Sequence, residues 1–190
     1  CGLIKVWQYS NAESSKHLKH MGSLYGHLTE IKDLKTYDGY NLLLSVDSSG
    51  VVYLWDMINF QIIRKLPLKG KEVAISPNNG TIALATFKNK VCIYNSSGMY
   101  YTSVDIAEGH SITCLEFLNF TAIDLGMKRH AYWKEKEILI IGLSNSTVQV
   151  YELALNILSG WELRLLKQLE TNNGDEITLS LIHISEPTRH

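Results

Sequence analysis

At 190 residues, 45% hydrophobic and 19% charged, the chain has the make-up of a globular protein, long enough to bury a sizeable core in one or two domains. A net charge of −1 supplies no global field to draw in nucleic acid or an acidic membrane. Three cysteines without close spacing (Cys1, Cys92, Cys114) argue against a disulfide framework or zinc site and for a reducing compartment, and apolar runs such as residues 138–141 fall far short of the roughly 20 residues of a membrane helix.

In chain order, Gly2-Leu3-Ile4-Lys5-Val6-Trp7-Gln8 alternates aliphatic and other residues with period two, the pattern of a strand. Lys16-His17-Leu18-Lys19-His20 reads as a solvated linker; its two histidines have no cysteine or carboxylate cluster beside them to complete a metal site. Strands are expected at 31–37, 41–46 and 51–55, with turns at Asp38-Gly39 and 47–50. A Met57-Ile58-Asn59 turn leads to another strand at 61–66. The next unit reads 73–76, a Pro77-Asn78-Asn79-Gly80 turn, 81–86, 90–94, an Asn95-Ser96-Ser97-Gly98 turn and 100–106. The last has strands at 112–117, 138–142, 148–151 and 161–169, with an irregular insertion at 118–136 carrying Lys128, Arg129, His130, Tyr132 and Trp133. Such an insertion is either a functional loop or one packed on a sheet edge with Trp133 as its anchor. Turn residues that tolerate positive φ recur between short strands, and no window shows a helical period.

A repeat organises these elements. Gly50-Val51-Val52-Tyr53-Leu54-Trp55-Asp56, Asn89-Lys90-Val91-Cys92-Ile93-Tyr94-Asn95 and Ser146-Thr147-Val148-Gln149-Val150-Tyr151-Glu152 align without gaps with the segment that ends at Trp7-Gln8. The aromatics are spaced by 48, 39 and 57 residues, bracketing the period of about 40–45 expected of a four-stranded propeller blade.

These segments resemble the WD-repeat family. Gly26-His27 precedes Trp55-Asp56 by a blade's length, and Gly109-His110 stands in the same relation to Tyr151-Glu152. The resemblance implies that His27, Ser45 and Trp55 form a buried hydrogen-bonded network that locks strand register. There are departures: Ser49 stands at the turn position where the family prefers Asp, Gly70-Lys71 replaces Gly-His, and Tyr94 and Tyr151 replace Trp. The expected fold is all-β, a partial propeller forming an open arc of about three to four antiparallel four-stranded blades. Its residues supply the end of one blade, three fuller units and the opening of another at Ile177-Thr178.

A narrower resemblance covers roughly Tyr25 to Leu169. Lys69-Gly70-Lys71-Glu72-Val73, Asn95-Ser96-Ser97-Gly98, Ser111-Ile112-Thr113-Cys114-Leu115-Glu116-Phe117, Trp133, and Ile140-Ile141-Gly142-Leu143-Ser144 succeed one another as in the C-terminal propeller of BEACH-domain (beige-like) proteins, with Leu143 in place of the usual His. That resemblance implies a large cytosolic parent, peripheral on endosomal, vacuolar or Golgi membranes, acting in vesicle, endosome or vacuole traffic. Its BEACH domain would lie ahead of Cys1.

Signs of catalysis are poor. Cys114 falls on a strand position expected to face inward as a small buried hydrophobe, and Asp105, Glu108 and Asp124 are scattered. There is no phosphate loop, nucleophile elbow or His-Glu-x-x-His motif. The expectation is therefore a protein-binding scaffold, without cofactor, metal or nucleic acid. The alternatives are a WD-repeat adaptor of a ubiquitin-ligase or RNA-processing assembly, and a propeller enzyme. Lys65, Lys69 and Lys71 read as a solvated loop. Lys69 and Lys71, between blades, and Lys88, in a turn on the same rim, are also the candidate contacts for an acidic partner or an anionic membrane. Finally, Leu179-Ser180-Leu181-Ile182-His183-Ile184-Ser185-Glu186-Pro187-Thr188-Arg189-His190 looks like a translated sequencing-library adapter. The propeller segment is accordingly expected over 1–178, with 179–190 as a non-native tail.

Overall fold

The computed structural model describes residues 2–12, 15–107, 109–118 and 136–170. Among these, fourteen strands form four antiparallel sheets, and a 3-10 turn at Asp38–Tyr40 is the one helical piece. The first sheet pairs β1 (Gly2–Ala12) with β2 (Ser15–His27). The second is the meander β3 (Ile31–Tyr37), β4 (Leu42–Asp47), β5 (Val52–Asp56) and β6 (Gln61–Lys65). The third comprises β7 (Gly70–Ile75), β8 (Ile82–Thr86), β9 (Lys90–Tyr94) and β10 (Tyr100–Asp105), and the fourth β11 (Ile112–Phe117), β12 (Glu137–Leu143), β13 (Thr147–Asn156) and β14 (Gly160–Glu170).

Neighbouring sheets bury their facing sides against each other, so the two inner sheets are covered on both faces. Leu43 and Trp55 pack with Ile4 and Leu24 of the first sheet, while Leu42, Leu44, Val46 and Leu54 face Val73, Ile75, Ile82 and Leu84 of the third. Ala83, Val91 and Ile93 then meet Leu115, Phe117 and Leu139 of the fourth. This explains why β4 and β8 are apolar at nearly every position instead of alternating: both faces are covered. The leading strands β3, β7 and β11 lie side by side, and β3 alternates between half-buried and exposed positions. The closing strand β6 is exposed throughout. The result is the open arc of blades expected from the repeat.

A second set of joints runs along the outside. The Phe60 ring lies over Gly22, where a Cβ would come within 2.9 Å of it. Arg64 Nε donates to the carbonyl of Ser97 at 3.0 Å. Tyr101 stacks on Trp161 with ring centroids 5.0 Å apart. In all three, residues at or beside the third turn of one blade meet the fourth strand of the blade before it. At the two ends no described residue covers the sheets: Trp7 and Tyr9 of β1 and Leu165, Leu166 and Leu169 of β14 are exposed.

Two expectations are corrected. Residues 16–20 are not a linker but part of β2, paired with residues 7–11 of β1, because the hairpin continues well past Trp7. Cys114 is half-buried and not a core residue; Leu115 and Phe117 take the inward positions of β11. Cys1, Glu108, Asp124, the insertion residues 119–135 with Trp133, and residues 171–190 with the adapter-like tail lie outside the described residues.

Candidate functional site: a buried network beneath an apolar and basic rim

At the end of β2 His27 is buried, and its ring is held on both nitrogens. Nδ1 donates to Asp47 Oδ2 at 2.8 Å, and Nε2 hydrogen-bonds Ser45 Oγ at 2.6 Å. Ser45 Oγ also accepts from Trp55 Nε1 at 2.7 Å. The other Asp47 oxygen accepts from Ser49 N and Oγ (3.0 and 2.7 Å) and from Val51 N (3.0 Å). The acidic member of the network is thus Asp47, which corrects the reading that the turn lacked its Asp; Ser49 is a donor to that carboxylate. Burial works against the Asp47 charge, but hydrogen bonds from Ser49, His27 and Val51 outweigh it and hold the carboxyl down to about 2. Gly26 admits the network's aromatic, since a Cβ there would meet the Trp55 ring at 3.0 Å. Asp56 lies outside the network: its carboxylate accepts from Ile58 N (2.8 Å) and from Asn59 N and Nδ2 (3.3 and 2.7 Å), pinning the following turn.

Among the described residues the network does not recur. In the third sheet Leu84 and Thr86 stand where Ser45 and Asp47 stand, and Tyr94 replaces Trp55. Gly70 leaves the space that the Leu84 side chain fills. Among the described residues the Tyr94 hydroxyl has no hydrogen-bond partner, and burial pushes its pKa up to about 12. An apolar plug has replaced the polar cluster, a swap that packed interiors tolerate. In the fourth sheet Ile141 and Leu143 occupy the corresponding places. His110 is half-buried and meets Asn145 Nδ2 at 3.4 Å. It precedes the first residue of its strand by two positions, His27 by four. Gly109-His110 therefore does not stand as Gly26-His27 does. Tyr151 is buried and donates to Gln149 Oε1 at 3.1 Å.

What the His27 network fixes is the turn after β4. Ser48 N donates to Glu30 O at 2.7 Å, Gly50 N donates to Asp47 O at 2.8 Å, and Gly50 has φ +81. A Cβ on Gly50 would lie 2.6 Å from the Phe87 ring and 3.2 Å from Lys69 Cβ. Phe87 and Lys69 of the next blade therefore sit directly against this turn. Both are exposed, as are the adjoining Lys88 and Leu68. Lys71 does not join them: it is half-buried at the start of β7, and desolvation pulls its pKa down against the influence of Glu72. Phe87 was not anticipated, although an aromatic inside the turn Phe87-Lys88-Asn89 has no core to enter and was a legible signal. Among the described residues no group of three or more His, Cys, Asp or Glu could hold a metal ion. What the rim offers chemically is apolar contact flanked by positive charge.

No family model matches the chain. It is 42% identical over 179 residues to Beige protein homolog 1 of Saccharomyces cerevisiae, covering 93% of this chain and 8% of that protein. It is 29% identical over 126 residues to ASTRA-associated protein 1 of Eremothecium gossypii, covering 58% of this chain and 32% of that protein. Among solved structures, the WD40 domain of SCAP from fission yeast matches with TM-score 0.54 at 14% identity, over 90% of this chain and 35% of that one. The computationally designed Ika8 protein matches with TM-score 0.60 at 19% identity, over 85% of this chain and 42% of that one. The chain thus spans under a tenth and about a third of the two curated relatives. It is a WD-repeat-type propeller segment that resembles a beige-like protein over nearly its whole length.

Proposed function

We propose that the chain is the protein-binding propeller portion of a beige-like protein that acts in vesicle, endosome or vacuole membrane traffic, on the cytoplasmic side of those membranes. The observation that carries this reading is the 42% identity across 93% of the chain to Beige protein homolog 1. The similarity to ASTRA-associated protein 1 is lower and reaches 58% of the chain, so an adaptor role in another assembly is less well supported. A scaffold also suits the arrangement: stacked sheets hold the turns rigidly, and loops on a rigid frame are where binding concentrates. The contact surface in this reading is the rim of Leu68, Lys69, Phe87 and Lys88, and its partner is an acidic protein segment.

The test is capture of partners by the full-length protein, parent against the double charge reversal Lys69→Glu and Lys88→Glu. Loss of at least one partner, with the parent's capture of it weakened by added salt, supports the reading. An identical set of partners from both proteins contradicts it.

A further inference from the structure

The β13–β14 hairpin is longer than its counterparts. Beyond the Tyr151↔Leu165 pair it continues through five more, Glu152↔Arg164 to Asn156↔Gly160. The equivalent hairpin of the second sheet has one pair beyond Trp55, and that of the third has none beyond Tyr94. Four extra pairs carry the tip about 13 Å further out than in the second sheet.

At that tip stand Ile157 and Leu158, 99% and 96% exposed, with Leu155 exposed just below. The turn is built to hold them out: Asn156 Oδ1 accepts from Leu158 N at 2.9 Å, and Gly160 closes the turn at φ +80. No charged residue occurs from 153 to 161. Among the described residues the charges nearest below are paired, Glu162 with Arg164 and Glu152 with Lys136. Trp161, across from Leu155, is half-buried and stacked on Tyr101.

We propose that this hairpin tip inserts into the apolar layer of a lipid bilayer, with Ile157 and Leu158 as the inserting residues and Trp161 at the level of the headgroups. Two adjacent aliphatic side chains on a convex turn offer far less than the roughly 800 Å² that each partner contributes to a stable protein interface. A bilayer needs no matching shape and takes apolar side chains from water in proportion to their area. Trp and Tyr favour the boundary between apolar and polar layers, which is where the Trp161–Tyr101 stack would sit. Because the flanking charges are paired, the contact needs no anionic lipid. The tip lies at the opposite end of the strands from the Lys69–Phe87 rim, so this inference does not rest on the partner proposed above.

The experiment is flotation of the full-length protein with vesicles of phosphatidylcholine alone and of phosphatidylcholine mixed with phosphatidylserine. The parent protein should float with both, and added salt should not release it. Ile157→Asp with Leu158→Asp should lower the bound fraction at least about tenfold while leaving the thermal melt unchanged, since both side chains are wholly exposed. Leu158→Trp should float as the parent does. Three results would overturn the proposal: no flotation of the parent, equal flotation of the double aspartate variant, or loss of a bound protein rather than of lipid in that variant.

Discussion

Lys35 of β3 and Glu116 of β11 meet at 3.3 Å, although an entire four-stranded sheet separates their blades in the chain. The contact exists because the leading strands of successive blades converge on the inner side of the arc. There a lysine can reach past the intervening β7. Asp33 approaches the same ammonium group at 3.8 Å. Both partners are partly solvated, so the pair should be worth about 0.5–1 kcal/mol. A double-mutant cycle with Lys35→Met and Glu116→Gln, read by urea denaturation of the full-length protein, should return that coupling and lose most of it in high salt. A coupling of zero at low salt would mean that the blades are not held at this angle.

The His27 network should show its cost when one member is removed. His27→Ala leaves the buried Asp47 and Ser45 short of a partner and should cost about 1–3 kcal/mol. His17→Ala, on the exposed outer stretch of β2, should cost under about 0.5 kcal/mol. Denaturation midpoints of the two variants compare them directly.

Acid should attack the same network. The Asp47 carboxyl is held at about 2, below its ordinary value of 3.8, so the unfolded chain binds the proton more readily. The resulting stability is fully present above about pH 4 and drains away as the pH falls through 2; it amounts to roughly 2 kcal/mol. Asp47→Asn should therefore have a lower melting temperature than the parent at pH 6, and the gap should narrow by pH 2.5. A constant gap over that range would place the carboxylate elsewhere.

The plug in the third sheet offers a paired test. Gly70→Ala drives a methyl group into Leu84 and should cost about 1–3 kcal/mol through overpacking. Leu84→Ala empties the same space. In its background the Gly70→Ala cost should shrink to near zero, because the methyl then has room. Additive effects would show that the two residues do not share that space.

The strands were legible because period-two alternation and turn residues are local, and blades are made of local hairpins. The site was only partly legible. Finding Asp47 requires knowing where β4 ends, since the carboxylate sits on its last residue and Ser49 merely binds it. Gly109-His110 matched as a dipeptide, but its distance to the next strand is two residues short of that for Gly26-His27, and register decides whether the ring points inward. The extension of β2 through residues 16–20 was missed because lysines and histidines on an exposed edge look like linker. Ile157 and Leu158 fall between the strands expected at 148–151 and 161–169, and no local pattern marks them. What singles them out is exposure, which only the three-dimensional arrangement supplies.

An arc of sheets, each buried only against its neighbours, makes a sharp demand on the 190-residue chain expressed alone, and sedimentation reads it. Trp7 and Tyr9 at one end and Leu165, Leu166 and Leu169 at the other lie exposed on terminal sheets. Open sheet faces and edges promote association. This chain should therefore self-associate or precipitate at about micromolar concentration. A compact monomer that unfolds in one cooperative step would mean that the sheets do not form an open arc.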